Sequence, residues 1–167
     1  DLVISMKIRT FKKSDFSSVK SIYQQGIDTG NATFQNKAKD WNEWTASFLT
    51  NCRIVAELNE EVVGWAALSA ASNRTVYNGV AEVSIYIAKN YANYGIGNSL
   101  LSELISTSEN EGIWTLQAGI FPENESSIAI HSKNGFKTIG VREKLGKMNG
   151  TWRDILFMER RSKVIGI

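Results

Sequence analysis

Polar and apolar residues alternate over residues 7–11, so the chain is expected to open on a β-strand. Ser14 or Asp15 then stands where a helix cap belongs, ahead of Phe16, Val19, Ile22 and Tyr23 on one helical face. Residues 26–39 show no period and read as an irregular segment carrying Ala32-Thr33-Phe34. Asp40 and Glu43 have the spacing of a capping box before Trp44, Phe48 and Leu49. Strands are expected at 53–58 and 62–71, joined as a hairpin through the polar Asn59-Glu60-Glu61. A polar loop with Arg74 and Tyr77 leads to a strand at 80–88, where Val83, Ile85 and Ile87 alternate with Glu82, Ser84 and Tyr86. The loop 90–97 opens onto a helix with Leu100, Leu101, Leu104 and Ile105 in register, ended by Gly112. A strand at 114–121, a helix at 124–134 stopped by Gly135, and strands at 136–141 and 152–160 complete the pattern. The last two strands are expected to flank a loop containing Gly146 and Gly150.

With no repeat, linker or low-complexity tract, residues 1–167 are expected to form one α/β domain, with 1–5 a disordered or non-native start. A length of 167 residues supports one sizeable core and not two. The net charge of +2 is too small for a strong grip on nucleic acid, so no nucleic-acid partner is expected. Lys133, Lys137, Arg142, Lys144 and Lys147 nevertheless offer enough local positive charge for a small phosphorylated ligand. Cys52 and His131 are the only residues of their types, which argues against a disulfide and a Cys/His metal centre. No apolar run approaches a membrane span, and the start lacks the pattern of a signal peptide. A cytoplasmic protein with no membrane partner is the expectation. Trp41, Trp44, Trp65, Trp114 and Trp152 are expected in the core or an interface, and Arg153-Asp154 as an internal ion pair.

Gly95-Ile96-Gly97, between a strand and a helix, presents backbone N–H groups at the positive end of a helix dipole, where a pyrophosphate binds well. Glycine there lets phosphates approach the backbone, although a plain tight turn has the same composition. Leu100 occupies the third glycine position of a dinucleotide fingerprint, and Asn98-Ser99 replaces the Lys-Ser/Thr of a P-loop, so neither pattern fits.

The loop resembles the Gln/Arg-x-x-Gly-x-Gly motif of the GNAT superfamily of N-acetyltransferases, with Ala92 in the Gln/Arg position. Asn124-Glu125-Ser126-Ser127 through His131 to Gly135-Phe136 resembles the same superfamily's Asn-x-x-Ala/Ser-x-x-x-Tyr/His-x-x-x-Gly-Phe helix. Ala32-Thr33-Phe34, Arg74-x-x-Tyr77, Val80-Ala81-Glu82, Trp114-Thr115-Leu116-Gln117, Phe121-Pro122-Glu123-Asn124 and Gly150-Thr151-Trp152-Arg153-Asp154 are most similar to phosphinothricin and methionine sulfoximine N-acetyltransferases. The resemblance implies a mixed, twisted sheet of about seven strands flanked by helices, with strands 4 and 5 splayed apart. It implies acetyl-CoA as co-substrate, no metal, a small amino-acid-like amine as acceptor, and a homodimer. The aromatic-rich final strand and the loop 144–150 are candidate dimer contacts.

Acetyl transfer needs a neutral amine, so a base must take its proton, directly or through water. The resemblance assigns this to Glu82, whereas alternation alone would leave Glu82 on a solvated face. Backbone N–H groups of Ile85, Tyr86 and Ile87 are expected to hold the thioester oxygen and the pantetheine arm. Asn93, Tyr94, Gly95, Ile96, Gly97 and Asn98 would cradle the pyrophosphate, with Asn90 or Asn93 substituting for the side chain missing at Ala92. Asn124 and Ser127 would orient the cofactor's amides. His131 stands where the superfamily often has a tyrosine acid, and is read either as the acid for the departing thiolate or as a packing residue; Tyr86 and Tyr94 are less favoured acids. Arg74 offers a fork for the acceptor's carboxylate, with Tyr77 beside it and Phe34 as an apolar wall. Two other activities fit the same residues: a protein or peptide N-terminal acetyltransferase, with an open groove, and a non-catalytic acyl-CoA-binding module, in which Glu82 is dispensable.

Overall fold

The computed structural model describes residues 5–167; the expected N-terminal tail lies outside them except for Ser5. In chain order the elements are β1 (Met6–Thr10), α1 (Phe16–Asp28), α2 (Trp41–Ser47), β2 (Ile54–Leu58), β3 (Glu61–Ala70) and β4 (Val80–Ile87). They continue with α3 (Ile96–Asn110), β5 (Thr115–Ile120), α4 (Glu125–Lys133), β6 (Lys137–Met148) and β7 (Thr151–Arg161). All seven strands form one sheet in the order β1-β2-β3-β4-β5-β7-β6. Only β4 and β5 run parallel, and they share three pairs, Val80↔Thr115, Ala81↔Leu116 and Glu82↔Gln117. Beyond Glu82 the two strands separate, as the resemblance implied.

The run Val62 to Ala70 lacks clean alternation because β3 is covered on both faces. Trp65 and Ala67 pack with Val19, Ile22, Tyr23 and Trp44 under α1 and α2. Ala66 and Leu68 pack with Leu100, Leu101, Leu104, Leu116 and Met158 under α3. Each such buried large side chain contributes about 1.5–3 kcal/mol, so the two cores pin the sheet between its helices. The β2–β3 turn places Asn59 and Glu60 at φ 51° and 69°, the left-handed pair that a two-residue hairpin turn demands.

Several boundaries differ from the pattern. α1 continues through Gly26 to Asp28, into the stretch read as irregular. A Cβ at Gly26 would come within 2.6 Å of the Tyr86 ring, so glycine is what lets this helical turn lie on β4. Asp40 precedes α2 but makes no cap bond; its carboxylate instead accepts from Lys20 Nζ at 2.6 Å. β6 has twelve residues where about six were expected, and Gly146 lies within it. The hairpin closes at Asn149-Gly150, and pairing with β7 slips between Arg142 and Gly146. Arg153 and Asp154 do not pair with each other: neighbours along a strand point to opposite faces. Asp154 accepts from the Lys144 N–H at 2.8 Å, while Arg153 reaches elsewhere. Trp44 and Trp65 are core residues and Trp152 is exposed. No helix among the described residues is long and apolar enough to cross a membrane.

Candidate active site

The separation of β4 from β5 opens a cavity of about 510 Å³. One wall is the β4 run from Glu82 to Tyr86, and the facing wall is Gln117 to Phe121. Because side chains alternate, Val83 and Ile85 join the core under α3, whereas Tyr86 turns toward Tyr23 and Trp65. Glu82 lines the cavity and has no hydrogen-bond or salt-bridge partner among the described residues. Burial pushes its pKa above the usual carboxylate range. A raised pKa makes the carboxylate a stronger base than an ordinary one, the direction a proton acceptor needs.

His131 projects from α4 into the same cavity and is 2% exposed. Its Nδ1 lies 2.7 Å from the Ser127 carbonyl, which assigns the proton to Nδ1, while the buried Nε2 has no partner. Burial lowers its pKa from the ordinary 6.5, keeping the ring neutral. In this form Nε2 accepts hydrogen bonds; it carries no proton to donate. Asn124 caps α4, accepting from the Ser127 N–H at 3.3 Å and donating to the Asn31 carbonyl at 3.2 Å.

At the far end of β4 the chain turns through Asn93 (φ 68°) and Gly95 (φ 77°) into α3. Gly95 is the N-cap, and the N–H groups of the first turn have no intrahelical acceptor. A Cβ at Gly95 would meet nothing within 4 Å, so its glycine answers to backbone conformation and the space before the turn is open. Gly97 differs from the sequence expectation. Its Cβ would point at Ile130 Cδ1, 2.8 Å away, so a side chain there would crowd α4. The N–H groups of this first turn, without intrahelical acceptors, are the ones that could hold a pyrophosphate, and the unpaired edge of β4 beyond Glu82 could take the extended pantetheine arm.

Residues 8–157 match the family described as an acetyltransferase (GNAT) domain. The chain belongs to the GNAT acetyltransferase family. As a GNAT enzyme it is an acetyl-CoA-dependent N-acetyltransferase. It is 26% identical over 162 residues to an L-methionine sulfoximine/L-methionine sulfone acetyltransferase of Pseudomonas aeruginosa, covering 93% of this chain and 94% of the relative. A GNAT superfamily phosphinothricin acetyltransferase from Sinorhizobium meliloti, solved in complex with acetyl-CoA, superposes with TM-score 0.84 at 30% identity, covering 96% and 95% of the two chains. A ribosomal-protein-alanine N-acetyltransferase from Brucella melitensis gives TM-score 0.85 at 29% identity over 93% and 99%.

Within this GNAT fold the cavity gathers Phe34, Glu82, Ile85, Tyr86, Asn124, Ser127 and His131 from the residues singled out in the sequence. Ile87, Asn93, Tyr94, Gly95, Ile96, Gly97 and Asn98 follow along β4 and its loop, outside the cavity wall. Tyr94 is 59% exposed, Ile96 is buried, and the Asn98 carboxamide oxygen accepts from Asn134 at 2.8 Å, tying α3 to the end of α4. Arg74 and Tyr77 do not line the cavity. They stand on the exposed loop between β3 and β4, the guanidinium 5.3 Å from the Tyr77 ring. The cations on the cavity wall are Lys39 and Arg142, which the sequence reading did not connect with the acceptor. Ser69 and Gln117 were also missed; both are register partners of Glu82 and could have been found by aligning the strands.

Proposed function

We propose that this chain acetylates the primary amine of a small amino-acid-like molecule, of the phosphinothricin or methionine sulfoximine class, by direct attack in a ternary complex. The observation that carries the reading is the unpaired Glu82 carboxylate on the wall of a pocket-sized cavity, at the point where β4 and β5 part. Acetyl-CoA supplies the activated acyl group. Glu82 takes the amine's proton, directly or across a water. The N–H groups of β4 from Ile85 to Ile87 that point into the opening are donors for a developing oxyanion. Asn93 to Asn98 hold the pyrophosphate through backbone N–H groups, while Asn124 and Ser127 line the pantetheine side. His131 presents an unpartnered acceptor at Nε2 and, in this tautomer, no proton for the departing thiolate, which is protonated by solvent or by the proton Glu82 has taken. Phe34 is the apolar wall of the acceptor site. Lys39 and Arg142 hold the acceptor's carboxylate, with Arg74 and Tyr77 at the sheet end outside the cavity. Use of acetyl-CoA is consistent with a cytoplasmic enzyme.

The test is release of free CoA thiol from acetyl-CoA in the presence of phosphinothricin, methionine sulfoximine, methionine sulfone and the common amino acids. Fast release with one acceptor, lost in Glu82→Gln, is the expected result. Binding of acetyl-CoA with no release for any of them would defeat the reading and favour an acyl-CoA-binding module.

A protein substrate is the second reading, favoured by the similarity to the Brucella melitensis enzyme. Against it, Phe34 and Leu145 bring walls from two segments onto the cavity, which suits a compact acceptor. Acetylation of N-terminal alanine peptides faster than of any free amino acid would reverse the order. A homodimer is also proposed. Ile139, Val141, Leu145 and Trp152 are exposed on the β6–β7 hairpin, whose outer strand is a sheet edge. Sedimentation showing only monomer at micromolar concentration would remove it.

A further inference from the structure

Arg153 projects from β7 toward the segment between α1 and α2, more than a hundred residues earlier in the chain. Its Nη1 donates to the Gly30 carbonyl at 2.9 Å and its Nη2 to Asn31 Oδ1 at 2.9 Å. Nη2 also meets Glu123 Oε2 at 3.2 Å, and the guanidinium carbon lies 4.0 Å from the Phe121 ring centre. The side chain is 14% exposed, so these bonds form largely out of water. Glu123 is 58% exposed and adds little on its own. Of the hydrogen bonds that tie Gly30 and Asn31 to distant parts of the chain, two come from Arg153 and one from Asn124.

Phe34 depends on the same residue at one remove. Phe121 is buried beneath the guanidinium and meets Phe34 edge-on, with ring centres 4.9 Å apart at 70°. Arg153 thus holds the start of the segment by hydrogen bonds and its aromatic end by clamping the ring against which Phe34 packs. A planar fork can do both; an ammonium group has neither the paired donors nor the flat face.

We propose that Arg153 is a positioning residue for the acceptor site, fixing residues 30–34 against the β5–α4 connection so that Phe34 forms a set wall of the cavity. The inference rests on the proposal that the cavity's Phe34 side receives the acceptor. Arg153 touches no reacting atom, and its effect falls on acceptor binding more than on acetyl-CoA.

The test compares the wild-type chain with Arg153→Ala and Arg153→Lys, by hydrogen–deuterium exchange and by steady-state kinetics with phosphinothricin or methionine sulfoximine, whichever is turned over faster. Exchange over residues 29–36 should rise about 10-fold in R153A and less in R153K, with the β1–β4 amides unchanged. The acceptor KM should rise about 10-fold while the acetyl-CoA KM stays within about twofold. Should R153A fail to fold, R153K carries the same two comparisons. Unchanged exchange over 29–36, a rise across the whole chain, or a parallel rise in both KM values would overturn the assignment. A wild-type chain that turns over neither amine defeats the acceptor reading instead, and the exchange measurement then decides the clamp alone.

Discussion

The Phe34 ring lies directly against the backbone of Gly146: a Cβ there would come within 2.8 Å of Phe34 Cζ. One residue belongs to the segment after α1 and the other to β6, so the cavity wall depends on a missing methyl group at the opposite end of the chain.

Gly146→Ala must therefore displace an aromatic ring that is already seated against Phe121. Such overpacking costs about 1–3 kcal/mol, and the ring borders the cavity into which it can be pushed. The expected outcome is a lower unfolding midpoint together with a raised acceptor KM, checked by denaturant melts and thiol-release kinetics. An unchanged acceptor KM would show that Phe34 does not bound the acceptor site.

Burial raises the pKa of Glu82, so its charged form is disfavoured in the folded state relative to the unfolded one. Glu82→Gln should be at least as stable as wild type at neutral pH while losing about 10²–10⁴-fold in kcat/KM. The wild-type rate should climb with pH as the carboxylate ionises, with a midpoint above the usual carboxylate range. That rising limb should vanish in the variant.

Lys39 and Arg142 line the cavity and Arg74 does not, which separates two accounts of carboxylate recognition. Lys39→Ala and Arg142→Ala should each raise the acceptor KM about 5–50-fold, in the range of a lost charge-assisted contact, and Arg74→Ala should change it far less. Kinetics on the three variants decide the matter. The reverse ranking would return the role to the β3–β4 loop.

His131 is held neutral by burial, with its folded pKa below the ordinary 6.5. Its stabilising contribution is present above pH 6.5 and is lost as pH falls through the depressed folded value, because the unfolded chain takes up the proton first. Unfolding midpoints measured down from pH 7 should fall more steeply for wild type than for His131→Gln. Identical slopes would mean that the imidazole is not the residue being titrated.

The hairpin and the glycine turn before α3 were legible because each follows from a local rule: turn residues and a strand-to-helix junction. The end of α1 was not, since Gly26 looks like a helix stop unless the Tyr86 ring across from it is known. β6 was read short because its residues are mostly exposed and leave no buried alternation to follow. Arg74 looked like a substrate cation by resemblance, yet Lys39 and Arg142 reach the cavity only through the fold. Arg153 was paired with its neighbour Asp154, when strand geometry sends the two side chains apart.

β7 is the last of the seven described strands in chain order, yet in the sheet it lies between β5 and β6. During synthesis, β5 and β6 therefore have no common neighbour until residues 151–161 have left the ribosome. The amino-terminal half can pack as it emerges, because β1 to β4 are complete by Ile87 and neighbour one another in order. The carboxy-terminal half has no such stepwise route: its central strand arrives last. A nascent chain lacking that strand presents a sheet with an open edge at β5 and an unpaired β6, and it still lacks Ile155 and Phe157, the cavity lining that β7 supplies.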